Sequence, residues 1–164
     1  MKSNRNCFVL VADGFIENSV RQTAEFFLTT GVNLTFLSLY RSPAINQLAA
    51  NYGKNSVPGL LLGDMLQQEP PDGLLIAGGT MCGQHLMIDP RVYQLIEQLA
   101  LLGQPVGLLY PVYVPLVEAL GRVSGNLPLL FQEKRHPEVF LNHFVREMME
   151  ATTAYPQQVS SFIL

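Results

Sequence analysis

Cys7-Phe8-Val9-Leu10-Val11-Ala12-Asp13-Gly14 decides the fold class. Six apolar residues in a row leave no polar face. A strand made from them must be covered on both sides, as strands of parallel sheets are. Asp13-Gly14 closes the run with a turn. Glu17 to Thr30 follows, with Val20, Thr23, Ala24, Phe27 and Leu28 at helical spacing and Gly31 as a stop. Val32 to Leu39 is then a second strand. A strand, a helix and a strand in about 35 residues is the size of one βαβ unit.

The rest of the chain continues the alternation. Arg41 to Gly53 reads as an irregular connection with a helical turn around Ile45 to Ala50. Asn55 to Met65 contains Val57-Pro58-Gly59, so it is expected as a short edge piece or excursion, not a central strand. Glu69-Pro70-Pro71-Asp72 is a turn, and Gly73 to Ala77 is a third buried strand ending in Gly78-Gly79. Pro90 to Leu102 is a helix with Val92, Leu95, Ile96 and Leu99 on one face. Pro105 to Leu109 is a fourth buried strand, and Tyr113 to Leu120 a helix. Leu127 to Phe131 is a short strand and Pro137 to Ala151 a helix burying Val139, Phe140, Phe144, Val145 and Met148. Val159 to Leu164 is apolar and expected to pack on the body or on a partner. The sum is one α/β domain over 1–164, a flavodoxin-like three-layer sandwich with a mostly parallel central sheet. Ligands of such sheets bind at the carboxyl ends of strands, so the loops at Asp13-Gly14, Gly78-Gly79 and Tyr110-Pro111 belong together.

Composition narrows the function. Charged residues are 14% of 164, well under the usual quarter, and hydrophobic residues are 48%. So little charge predicts apolar surface covered by a partner, and a homodimer is the simplest cover. A net charge of -3 supplies no basic stripe for nucleic acid. Cys7 to Ala12 is too short for a signal-peptide core or a bilayer span, so no membrane association and a cytoplasmic location are expected. Two cysteines make no disulfide framework. The phosphate loops GxxxxGK[ST] and GxGxxG are absent, as is a GxSxG serine elbow.

Four segments, in order, resemble the ThiJ/PfpI family, part of the class I glutamine amidotransferase-like superfamily. Val9 to Glu17 resembles its opening strand and loop, and Pro71 to Gly79 its strand ending in paired glycines. Gln104 to Leu109 resembles the strand leading to its nucleophile elbow. Val117 to Gly125 resembles the helix and turn that follow. The match spans residues 7 to 125. The resemblance implies protease-like, deglycase-like or hydratase-like chemistry run by an elbow cysteine in a segment like A-x-C-[HA]-G. This sequence departs there. Tyr110 stands at the cysteine position, Pro111 where histidine or alanine is common, and Val112 where the family has glycine. The family's helper glutamate aligns with Ser19, with Glu17 nearby, and no family-type histidine loop follows. The resemblance therefore implies a catalytically silent protein serving as a binding or regulatory module. Its ligand pocket would be formed by Asp13, Gly14, Glu17, Ser19, Gly78, Gly79, Tyr110 and Pro111.

The alternative is displaced chemistry: a small-molecule hydrolase or lyase with Cys82 as nucleophile. Gly78 and Gly79 amides would stabilise an oxyanion, and His85 or Glu17 would be base. Against it stands the ordinary buried cysteine. Cys7 opens a core strand and reads as structural. His85, His136 and His143 have no set of partners for a metal, and no cofactor is expected. Tyr110 serves as a general acid or as a filler of the substrate's volume. Asp13 and Glu17 either bind a ligand amine or cap the first helix. A structural subunit of a larger complex is the third possibility.

Overall fold

Helices and strands alternate as the apolar runs require. The computed structural model describes the backbone of residues 5–52 and 56–163, and the side chains of all of these except 49, 56–58 and 152–163. The order is β1 (Asn6–Val11), α1 (Glu17–Phe27), β2 (Asn33–Ser38), α2 (Pro43–Asn51), β3 (Ser56–Leu61), α3 (Leu62–Met65), β4 (Gly73–Ile76) and α4 (Thr80–Met87). Then come α5 (Pro90–Leu102), β5 (Val106–Leu108), α6 (Val114–Gly121), β6 (Leu129–Phe131) and α7 (Pro137–Ile163).

The six strands form one sheet in the order β3-β2-β1-β4-β5-β6, and every neighbouring pair is parallel. With the edge strand β3 set aside, the order 2-1-4-5-6 is the flavodoxin-like one, and its direction reverses between β1 and β4. Cys7, Val9, Leu10 and Val11 of β1 and Leu74 to Ile76 of β4 are fully buried along both faces. That is the signature the continuous apolar runs announced. Phe140, Phe144 and Met148 of α7 press on the sheet at Gly73 and Gly107, where a Cβ would stand 2.8–2.9 Å from their atoms. The glycines let this helix sit close.

Four local expectations are corrected. Arg41 to Gly53 is no irregular link; it holds α2, begun by Pro43 in the first turn, where proline's fixed φ suits a helix. Helix α4 follows Gly79 directly, in a stretch whose period gave no helical signal. Helix α1 ends at Phe27, short of Thr30, and Gly31 turns the chain at φ 76°. Helix α6 runs through Gly121 and is capped by Arg122. The segment around Val57-Pro58-Gly59 is an edge strand, where proline costs no interior ladder bond. The side chains of Val159 to Leu164 lie outside the described residues. Among the described residues, no helix is long and apolar enough to cross a membrane.

Candidate functional site

Three strand-to-helix loops meet where the sheet reverses direction. Backbone hydrogen bonds lock them together. The Ile16 amide donates to the Gly78 carbonyl at 3.0 Å, and the Gly79 amide to the Pro111 carbonyl at 2.9 Å. Gly78 has no room for a side chain: a Cβ there would stand 2.7 Å from the Leu109 and Pro111 carbonyl oxygens and the Tyr110 carbonyl carbon. Gly14 and Gly79 both have positive φ, 85° and 113°, which side chains rarely tolerate. Met81 closes over Gly14, and Ile16 lies against Gly79.

Tyr110 follows β5, at the position proposed for the nucleophile. Its backbone is held from two sides. Ser19, buried in α1, donates from Oγ to the Tyr110 carbonyl at 2.6 Å. The Tyr110 amide donates to Gln132 Oε1 at 2.9 Å. The next peptide, Tyr110-Pro111, is cis. The residue as a whole is 38% exposed. Gln132 escaped the sequence reading because it lies beyond β6 and carries no motif. It is buried, and its Nε2 has no hydrogen-bond partner among the described residues.

The structure thus brings Gly14, Ser19, Gly78, Gly79, Tyr110 and Pro111 together. Glu17 is exposed in the first turn of α1. The Gly79 amide, offered as an oxyanion donor, is spent on Pro111. Cys82 is fully buried in α4, and its thiol donates to the Ala77 carbonyl at 3.7 Å. Burial pushes this thiol up to about 11; the Ala12 backbone hydrogen bond opposes the shift and the Asp13 charge adds to it. Cys7 is also buried, and burial drives its thiol far above the usual range. Both cysteines are unpaired. Gly83 carries Tyr113 of the elbow loop directly on its Cα, so α4 and the elbow pack as one unit.

Asp13 does not cap α1. Ile16 is the N-cap residue, with no side-chain cap bond. The register of β1 on β2, Val11 beside Ser38, sets Asp13 near Tyr40, which follows β2. Burial raises the Tyr40 phenol above its usual value, and the Asp13 carboxylate adds through its charge and a hydrogen bond. The His85 ring stands edge-on to Tyr40, with centroids 6.4 Å apart. Sequence gave no sign of Tyr40, because only the β1-β2 register brings it beside Asp13. Its neighbour across the cleft is Arg91, which holds both Asp89 carboxylate oxygens, at 3.0 and 2.7 Å, and the Leu39 carbonyl. The Arg91 hydrogen bonds hold the Asp89 carboxyl below its usual range. No group of three His, Cys, Asp or Glu side chains able to hold a metal occurs among the described residues.

No protein-family profile matches the sequence, and no curated protein matches it. Solved structures do match. DJ-1beta of Drosophila melanogaster superposes with a TM-score of 0.60 at 10% identity, covering 93% of this chain and 97% of that one. Toxoplasma gondii DJ-1 gives 0.59 at 9% identity, covering 94% and 98%. A DJ-1 superfamily protein of Salmonella typhimurium gives 0.59 at 15% identity, covering 95% and 91%. At this identity the likeness is one of backbone, and in backbone the chain has the fold of the DJ-1 proteins.

Proposed function

We propose that this chain is a ThiJ/PfpI-like protein that has given up cysteine chemistry and acts as a binding or regulatory module, as a homodimer. The observation that carries the reading is the elbow. A tyrosine stands where relatives are expected to present a thiolate, and its backbone is pinned by Ser19, Gln132 and the Gly78-Gly79 corner. A phenol is a far poorer nucleophile than a thiolate at neutral pH. The displaced alternative fares worse. Burial pushes the Cys82 thiol up to about 11 and seals it from solvent, so little reactive thiolate is offered at neutral pH.

The dimer rests on the low charge of the chain and on Ile16, Met81 and Val114, all exposed and apolar close to the elbow. The two free thiols suit a reducing compartment, which supports a cytoplasmic location.

Alkylation read by intact-mass spectrometry tests the silence. The native protein at neutral pH is expected to take up no iodoacetamide until it is unfolded in guanidinium. Fast labelling at Cys82, abolished by Cys82→Ser, overturns the reading. The same thiol sets a pH dependence. Its folded value lies above the unfolded one of about 9, so its contribution is complete below pH 9 and disappears as pH rises through about 11. Labelling of the folded protein should therefore begin only in strong alkali. Light scattering on the same sample is expected to read two chains per particle; single chains overturn the dimer.

A further inference from the structure

A second site lies at the opposite end of the sheet from the elbow, where α5 has ended and β5 and β6 begin. A cavity of about 560 Å³ opens there. Its size is within the range of small-molecule pockets. Glu97, Leu101 and Gly103 line it from the end of α5, and Val123, Leu127 and Pro128 from the connection between α6 and β6. Leu101 is 84% exposed, and Val123 and Leu127 are half-buried, so the cavity offers apolar wall that the core does not use.

The polar groups at this end are short of hydrogen. The Gly103 and Gln104 amides reach back to the Ala100 and Leu99 carbonyls. The Leu101 carbonyl would take the next amide in the helical pattern, but that residue is Pro105, which has none. Gln104, between Gly103 and Pro105, is 7% exposed, and its Oε1 is buried with no donor among the described residues. Gln98, near the end of the same helix, has a buried Oε1 in the same state. Glu97 is the one charged residue among those lining the cavity, and it makes no ion pair among the described residues. Arg122, the nearest cation along the chain, caps α6 and is not part of the lining. Ser124, also in the lining, spends its hydroxyl on the Gly121 carbonyl. The 13-residue helix α5 adds the negative end of its dipole. An unpaired carboxylate, a helix C-terminus and acceptors without donors all call for positive charge that brings several N–H groups with it.

We infer that this cavity binds a guanidinium group carrying a hydrocarbon chain, with the cation on Glu97 and the end of α5 and the chain along Leu101, Val123 and Leu127. A guanidinium presents five N–H donors in one plane and meets a carboxylate through two of them. The remaining donors suit the unfilled acceptors of the helix end. The site goes beyond the proposed function. It lies at the other end of the sheet from the elbow, and it stands or falls whatever the reactivity of Cys82.

Butylguanidinium is a suitable probe, followed through the Leu101 and Gly103 backbone amide resonances by NMR and through heat by calorimetry. Binding is expected at about 1 mM for a ligand of this size. On the unaltered protein, butylurea, of the same shape but neutral, should bind at least about tenfold more weakly. Glu97→Gln should weaken the guanidinium by about tenfold. Leu101→Ser, at a site too exposed to unfold the chain, should weaken it by about threefold through lost apolar contact. Glu118→Gln, exposed on α6 and outside the lining, should leave it unchanged. Binding of the urea as tightly as the guanidinium overturns the inference. So does an unchanged affinity in Glu97→Gln or in Leu101→Ser, a loss in Glu118→Gln equal to that in Glu97→Gln, or no shift of Leu101 and Gly103 at about 10 mM guanidinium.

Discussion

The carboxyl end of the sheet is built in two ways on the two sides of its reversal point. Between β4 and β5 everything is closed. Backbone meets backbone at Gly78, the Gly79 amide is consumed, and Ser19 and Gln132 tie the elbow from opposite sides. Beyond β1, at the end of β2, side chains stand apart around a cleft of about 370 Å³, with Tyr40 and Ile88 open to solvent. The difference follows from what sets each contact. The closed side is held by main-chain geometry that only glycine permits, with no room for even a methyl group at Gly78. The open side is made of side-chain ends, which can be rearranged or occupied. The same end of the fold thus stores rigidity on one side and accessible chemistry on the other.

The largest effect should come from breaking the closed side at its tightest point. A methyl group at Gly78 meets main-chain atoms of Leu109, Tyr110 and Pro111 at 2.7 Å, and those cannot swing away as a side-chain tip would. Gly78→Ala is expected to cost at least about 3 kcal/mol, read as a lowered midpoint in urea unfolding. A midpoint equal to that of the parent protein would mean that the corner is loose.

A smaller loss is expected at Gln132. Its Oε1 satisfies the Tyr110 amide, and Gln132→Ala removes that partner in a buried setting. The expected cost is about 2 kcal/mol, on the scale of one buried donor left unpaired. The unpartnered Nε2 works the other way, since removing a buried donor without a partner relieves a cost. Amide hydrogen exchange separates the two effects. Tyr110 should exchange markedly faster in Gln132→Ala even if the global loss is partly offset.

How legible this was in the sequence depends on what holds each part. Strands β1 and β4 were readable because burial on both faces leaves an unbroken apolar run. The edge position of β3 was readable from Pro58 and Gly59. Helix α4 was not, because Thr80-Met81-Cys82-Gly83-Gln84-His85 has no apolar period and a glycine in its middle. That glycine makes sense only once Tyr113 is seen lying on it. At the site, Asp13-Gly14 and Gly78-Gly79 marked two of the three loops, and Tyr110-Pro111 was found as the end of the fourth buried run. Gln132 and Tyr40 had no local signature, since each acts on a loop distant in the chain. Asp13 was left between a helix cap and an amine ligand. The cap is taken by Ile16 without a side-chain bond, which removes the first of these.

The smallest effect should be found on the open side, and its smallness is the point. Tyr40 and His85 touch each other through ring edges, and neither fills the core. The Tyr40 hydroxyl sits on a 42% exposed residue near the partly exposed Asp13 carboxylate. Its loss should cost little, because a hydrogen bond near solvent is replaced by water. Tyr40→Phe and His85→Ala are therefore each expected within about 0.5 kcal/mol of the parent in the same urea titration. A cost above about 2 kcal/mol for either would place these rings among the structural contacts. The contrast between a rigid elbow and an open neighbour would then disappear. A small cost for both would leave these rings on the open side, outside the contacts that hold the fold.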